Sequence, residues 1–225
     1  MTETPFIVTI DGPSGAGKST VARRVAGRLG YRYLDSGALY RALALAVLEA
    51  NVDVTDAAAL DELLGRVEIS LGADGKQVLL DGDDVSARIR TEAVSQTASK
   101  VSSLPAVRAA LIGLQRAAAV APGTVCEGRD MGTVVFPDAG LKVYLDADLD
   151  ERARRRWTEL EARGDRATLA DVKNEMIERD RRDRTRAVAP LGVAADALVV
   201  DSTALKVDEV VERVVKEALH RKSGN

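Results

Sequence analysis

The strongest constraint on this chain is a strand-length segment, Phe6-Ile-Val-Thr-Ile-Asp11, that runs directly into Gly12-Pro-Ser-Gly-Ala-Gly-Lys-Ser19. The first reads as a buried strand. After the glycines, Val21, Val25 and Leu29 recur at four-residue spacing until Gly30, which reads as an amphipathic helix with a glycine stop. A G-x-x-x-x-G-K-[ST] octapeptide between a strand and a helix is a phosphate cradle. Its glycines let backbone N–H groups turn inward as an anion nest, and the helix N-terminus adds positive potential. Lys18 then reaches the β and γ phosphates, and Ser19 can ligate Mg²⁺. The candidate ATP-binding residues are Gly12, Pro13, Ser14, Gly15, Ala16, Gly17, Lys18, Ser19 and Thr20, and Ser19 is the candidate metal ligand. The loop specifies a nucleoside triphosphate but not a reaction. A switch GTPase also needs D-x-x-G and N-K-x-D, yet no glycine here has Asp three positions before it and no Asn is followed by Lys. What remains is a small-molecule kinase or a P-loop protein that uses ATP to change shape.

The rest of the chain continues the alternation. Tyr31 to Leu34 reads as a short strand, Gly37 to Ala50 as a helix, and a further helix runs from an N-cap at Thr55 towards Gly65. Between Val67 and Ile89 the pattern changes: VEISL, the turn-like GADGK, QVLLDG and DDVSARI read as a small antiparallel meander inserted into the α/β order. Helices follow over Thr91 to Ser103 and Ala106 to Val120, on either side of Pro105. Buried strands resume at Thr124 to Glu127 and Leu141 to Asp146, and a last strand spans Ala197 to Asp201. Charged helices cover Asp148 to Arg163 and Thr168 to Arg186, the second opened by a capping-box-like Thr168-Leu-Ala-Asp171, and Lys206 to Lys222 closes the chain. Right-handed crossovers applied to this order give a doubly wound parallel sheet.

Charge is distributed unevenly. The 225 residues carry a net charge of -3, but Asp150 to Arg186 holds 11 Arg and 1 Lys against 10 acidic residues. In the helix ending at Arg186, Arg179, Asp183 and Arg186 are spaced to share one face, whereas Arg181, Arg182 and Arg184 are expected to point elsewhere. Alone, such a face is a solvated lattice of ion pairs. Beside a phosphate cradle it supplies the positive groups that phosphoryl transfer needs. Glu151 to Arg156 (ERARRR) reads similarly, as a lid over ATP. An acidic balance and only 1 Trp, 4 Tyr and 2 Phe argue against nucleic acid as the partner. No apolar run approaches the ~18 residues of a membrane helix. Met1 to Pro5 lacks the marks of a signal peptide, so the expected setting is cytoplasmic, with no membrane partner. One Cys (Cys126) and one His (His220) leave no intrachain disulfide, no His-pair zinc site and little room for imidazole chemistry.

The remaining motifs resemble one family nearly end to end: bacterial cytidylate kinase, among the nucleoside monophosphate kinases. The likeness rests on DGPSGAGKST, on LDSGALYRALAL from Leu34, on SLPAVR in the segment after Ser102, on GRDMGTVVFPDA from Gly128 and on RDRTRAVAPL from Arg182. One departure is Glu127, where many members carry Asp; either carboxylate can hold water near Mg²⁺.

The resemblance implies an α/β fold: a P-loop kinase core with a doubly wound parallel five-stranded sheet, a small antiparallel β-containing monophosphate-binding insertion and a helical lid. It implies a single domain over 1–225, with the insertion region at 35–107 and the lid at 150–168, acting as a monomer. The implied reaction transfers the γ-phosphoryl of ATP with Mg²⁺ to CMP or dCMP. Kinases for another small acceptor, such as UMP or shikimate, and a non-catalytic ATP-binding regulator are the alternatives. The resemblance also assigns roles: Ser36, Arg41, Arg129 and Arg186 hold the CMP phosphate, Tyr40, Arg179 and Asp183 line the ribose, and Ser99, Arg108 and Asp130 read the base, with Lys18, Arg129 and Arg186 as catalytic groups. The base-reading group is chemically complementary, since cytosine offers an N4 amino donor beside N3 and O2 acceptors.

Overall fold

The computed structural model describes residues 4–72, 77–162 and 164–224. In chain order its elements are β1 (Phe6–Asp11), α1 (Lys18–Leu29), β2 (Arg32–Asp35), α2 (Ser36–Glu49), α3 (Ala57–Arg66), β3 (Ile69–Leu71), β4 (Val78–Leu80), β5 (Asp83–Asp84) and α4 (Glu92–Val101). The second half adds α5 (Pro105–Ala117), β6 (Gly123–Gly128), β7 (Leu141–Asp146), α6 (Leu149–Glu161), α7 (Leu169–Thr185), β8 (Leu198–Asp201) and α8 (Val207–Ser223).

β1 is the middle strand of a wholly parallel five-stranded sheet, ordered β2-β6-β1-β7-β8. A parallel sheet must be covered on both faces, and alternation along its strands shows how. Val8 and Ile10 join Val125, Val143 and the valines of α1 and α8 in one core. Ile7 packs on the other side, with Leu34, Cys126, Met131 and Ile112 of α5. The sheet is therefore doubly wound. Because all five strands run the same way, their carboxyl ends share one edge, where Asp11 pairs in register with Gly128 and Asp35 with Glu127.

A second core lies beside this sheet. Leu39 and Leu43 of α2 pack with Leu60 and Leu63 of α3, Val78 and Leu80 of β4, Ile89, Val101 of α4 and Val107 of α5. Each fully buried Leu or Ile contributes about 2 kcal/mol. The antiparallel sheet here is β3-β4-β5, and DDVSARI supplies only the two residues of β5 before a tight 3₁₀ turn at Arg88–Arg90. Of the expected GADGK turn, residues 73–76 lie outside the described residues. The N-cap of α3 is Asp56 instead of Thr55: Asp56 accepts from Ala58 N and Ala59 N, while Thr55 turns back onto the Asp53 carboxylate. The expected capping box is present at the start of α7, where Thr168 and Asp171 exchange side-chain and backbone hydrogen bonds.

Helices α6 and α7 form a hairpin with its own small core of Ala153, Leu160, Val172 and Met176, against which Trp157 packs. The Trp157 indole donates to Ala167 O at 3.1 Å and closes the connection between the helices. No helix among the described residues is long and apolar enough to cross a membrane.

Candidate active site

The phosphate cradle uses its glycines for different reasons, close approach at Gly12 and a left-handed backbone at Gly17. At Gly12 φ is +150°, and a Cβ there would lie 1.9 Å from the Leu145 carbonyl oxygen of β7, so the loop and the neighbouring strand touch through backbone alone. Gly17 adopts φ +88° as the N-cap of α1, and no side chain caps that helix. Its first N–H groups are left for a ligand. Two loop carbonyls are held from outside, Ser14 O by Arg152 Nη1 at 3.0 Å and Ala16 O by Ser202 Oγ at 3.3 Å, and Pro13 O accepts from Lys18 Nζ of the loop itself at 2.6 Å. Gly15, Ala16 and Gly17 donate no backbone hydrogen bond among the described residues. Thr20 sits exposed on α1.

Lys18 is buried, and its ammonium is pushed down to about 7 by that burial and by Arg129, with Glu127 opposing. Ser19 Oγ donates to Glu127 Oε2 at 2.9 Å. The other oxygen of Glu127 accepts from the phenol of Tyr33, whose pKa is driven well above its usual range by burial and then by Glu127. A hydroxyl and a carboxylate are hard oxygen donors, and they fit a Mg²⁺ ion that keeps most of its waters. Among the described residues no cluster of three or more His, Cys, Asp or Glu forms a metal cage.

Across the strand ends lies a second, arginine-rich half. Asp35 caps α2 by accepting from Ala38 N, so the buried Ser36 is the first helical residue and not the cap, and its hydroxyl donates to Glu127 O at 2.7 Å. Arg41, one turn on, donates to Asp35 Oδ2 at 2.7 Å. Gly128-Arg-Asp130 leaves the end of β6, and the following turn at Met131–Val135 is pinned by Asp11, which accepts from Met131 N at 2.9 Å and Gly132 N at 2.7 Å. Burial pushes the Asp11 carboxyl up to about 6, against the pull of those two N–H groups.

The arginines and carboxylates sort into two groups. Asp130 accepts from Arg108 of α5 and, at 3.2 Å, from Arg186 at the end of α7, and the Arg108 guanidinium also lies 5.7 Å from the Tyr40 ring centre. Arg129 donates to Asp183 of α7 at 2.8 Å. Burial opposes the charge on Arg129, but Asp183, with Asp180 and Glu127, offsets it and raises its pKa. Arg179 stands beside this pair, and among the described residues its shielded Nε has no hydrogen-bonding partner. Its pKa is pushed down to about 10, by burial and then by Arg129.

The structure thus brings Arg108, Asp130, Arg186 and Tyr40 together, and separately Arg129, Asp183 and Arg179, while Arg41 pairs with Asp35. Arg182 corrects the sequence reading: it points into the cleft, where its Nη2 donates to Ser99 Oγ at 3.3 Å. It lies three residues beyond Arg179, a spacing that belongs to the same helical stripe. Sequence reasoning also missed Tyr33 as a partner of Glu127, Ser202 behind the cradle, and the buried Arg152–Asp180 pair at 2.7 Å that ties α6 and α7 beneath it. The arginine run signalled Arg152, but nothing local distinguished it from Arg154 and Arg155, which pair with Glu151.

The chain matches the cytidylate kinase family model over residues 8–220. It is 51% identical over 219 residues to the cytidylate kinase of Stutzerimonas stutzeri, covering 96% of each chain. It is 52% identical over 213 residues to that of Methylococcus capsulatus, covering 94% of this chain and 96% of the relative. A third relative, the cytidylate kinase of Serratia proteamaculans, is 50% identical over 220 residues, covering 97% of this chain and 96% of its own. With half of all positions shared over nearly the full length of each relative, the chain belongs to the cytidylate kinase family.

Proposed function

We propose that this chain transfers the γ-phosphoryl of ATP to the phosphate of CMP or dCMP, releasing ADP and CDP or dCDP, by direct in-line attack within this cleft. One observation carries the assignment of the cleft: its cations exceed its carboxylates, and among the described residues the buried Nε of the half-buried Arg179 has no hydrogen-bond partner. A half-buried guanidinium of this kind is at a cost until an anion arrives.

The cradle Gly12–Thr20 would take the ATP phosphates on the free N–H groups of the loop and of the α1 N-terminus. Lys18 would exchange its bond to Pro13 O for the transferring phosphoryl group. Ser19 Oγ would hold Mg²⁺ with Glu127 facing its water shell, and the bound ion supplies charge neutralisation on the β and γ oxygens. Ser36, Arg41, Arg129 and Arg186 would hold the acceptor phosphate, with Arg129 and Arg186 assisting transfer as Lys18 does. Tyr40, Arg179 and Asp183 would line the ribose, and Ser99, Arg108 and Asp130 would read the base. Uracil would place its O4 carbonyl against Asp130, where cytosine presents an amino group.

The acceptor oxygen is already anionic, so rate comes from positioning and from positive charge, with no strong base required. The segment 150–168 would serve as a lid and 35–107 as the acceptor-binding insertion, closing together to exclude water. The test is coupled ADP release from the wild type and Lys18→Ala across CMP, dCMP, UMP and shikimate. ADP release by the wild type with CMP or dCMP, lost in Lys18→Ala while CMP binding stays measurable, is the expected result. ADP release without any acceptor, or unchanged in the variant, would overturn the reading.

A further inference from the structure

Glu127 is held at both ends of its carboxylate. Oε2 accepts from Ser19 Oγ at 2.9 Å, and Oε1 accepts from the Tyr33 phenol. The two donors come from different elements, the first turn of α1 and the strand β2, and Glu127 sits between them on β6. Tyr33 pairs in register with Val125, two residues before Glu127, so the phenol reaches forward along the strand ends to meet the glutamate. Tyr33 is itself fixed: the Arg23 guanidinium lies 5.8 Å from its ring centre, and Arg23 Nε donates to Ser19 O at 3.0 Å. Ser19, Arg23, Tyr33 and Glu127 therefore close a ring of contacts around the hydroxyl at the base of the phosphate cradle.

The chemical consequence concerns the direction of one proton. A serine hydroxyl rotates to suit its surroundings, and it offers lone pairs to a cation only when its proton is directed elsewhere. Glu127 takes that proton. A glutamate has three side-chain torsions, and a carboxylate held by Ser19 alone could swing while keeping a single contact. The phenol removes that freedom.

We propose that Tyr33 is a positioning residue for the metal-bound nucleotide: it locks the Glu127 carboxylate so that the Ser19 hydroxyl presents its lone pairs to the divalent cation carried by ATP. This rests on the assignment of Ser19 and Glu127 to the metal side of the cleft. It extends that assignment to a residue that touches neither substrate nor metal. It also gives the length of the glutamate at 127 a role, because an aspartate is one methylene shorter and would draw the carboxylate back towards β6, away from the phenol.

The experiment is calorimetric binding of a non-hydrolysable ATP analogue, with Mg²⁺ and again with EDTA, to the wild type, Tyr33→Phe, Glu127→Gln, Glu127→Asp and the Tyr33→Phe/Glu127→Asp double variant. Tyr33→Phe keeps the ring and removes the hydroxyl, and a melting curve for each variant establishes that it is folded. The expected result is that Tyr33→Phe weakens binding of the Mg²⁺ complex about tenfold, the loss of one hydrogen bond to a charged acceptor, and leaves metal-free binding unchanged. In the Glu127→Asp background the same substitution should change neither. Equal weakening with and without Mg²⁺, or the same loss in the aspartate background, would mean that Tyr33 only supports the fold and would overturn the proposal. If Glu127→Gln loses Mg²⁺-dependent affinity but Tyr33→Phe does not, the proposal falls and the metal assignment stands. If neither variant loses it, both fall.

Discussion

Replacing Asp130 by Asn separates the part this carboxylate plays in holding the fold from its proposed part in reading the base. Asp130 is an anion shared by two arginines, with side-chain exposures of 4% for Asp130, 8% for Arg108 and 4% for Arg186. Removing one partner of a buried ion pair costs about 3–5 kcal/mol, because the remaining charge stays buried. Asn keeps one oxygen for one guanidinium but presents an NH₂ group to the other, which puts the expected loss at about 3 kcal/mol. For a chain of this length each kcal/mol shifts Tm by about 2–4 °C, so the ligand-free variant should melt about 6–12 °C below the wild type. The proposed part is recognition. A carboxylate facing the cytosine N4 amino group makes a charge-assisted hydrogen bond worth about 2 kcal/mol, and an amide can turn its own NH₂ towards a uracil O4 instead. The ratio of kcat/KM for CMP over UMP should fall about thirtyfold. Differential scanning calorimetry without ligand and coupled ADP release on both nucleotides measure the two effects independently. An unchanged Tm would refute the buried ion cluster. A lowered Tm with an unchanged CMP to UMP ratio would refute base reading by Asp130 and leave the cluster intact.

Arg179→Met should behave in the opposite sense: the ligand-free protein should melt at or above the wild-type temperature, since the lost charge is disfavoured by burial and by Arg129, while kcat/KM for CMP falls by about tenfold or more. A marked drop in Tm would show that Arg179 is a structural ion-pair partner and not a waiting cation. Asp11 predicts a pH dependence. Its carboxyl titrates near 6 in the folded protein against 3.8 for the free side chain, so between those values the folded state holds more protons than the unfolded state. Stability therefore falls as pH rises through that window, and the cost is fully present above about pH 6, at about 3 kcal/mol. Urea melts of wild type and Asp11→Asn from pH 4 to 7 should show the wild type losing about that much relative to the variant; a pH-independent difference would refute the shift.

What could be read in the sequence was what is local. The cradle, the strand before it and the glycine that ends α1 lie within one contiguous stretch of chain, and each is dictated by backbone sterics or short-range periodicity. The core strands could be found because strands buried on both faces are continuous apolar runs, and their parallel order followed from the handedness of the crossovers. Contacts that depend on which strands become neighbours were beyond it. Tyr33 meets Glu127 only because β2 pairs with β6, although far more chain separates them than separates β2 from β1. The Arg152–Asp180 pair needs the α6–α7 hairpin to fold back under the cradle before the two residues can touch. Arg182 is different, since its position was available from spacing: residues three apart are neighbours on a helix, and counting only the four- and seven-residue steps from Arg179 left it out.

The mildly acidic balance of the whole chain conceals the electrostatics of its cleft. Lys18, Arg41, Arg108, Arg129, Arg179, Arg182 and Arg186 gather there around Asp35, Glu127, Asp130 and Asp183. Arg129 links the two sides, because after burial itself it is the next influence that lowers the pKa of Lys18 on the cradle side and of Arg179 on the acceptor side. The two halves therefore share one field: an anion that neutralises part of it in either half lowers the cost of the unpaired charge in the other. A protein that kept these cations paired internally would be more stable without ligand and would have less positive potential to direct at the phosphoryl group in flight. That is also why so few histidines suffice. When both the donor and the acceptor are phosphates, the barrier lies in bringing like charges together, and fixed guanidiniums act on it directly where a proton-shuttling imidazole would not.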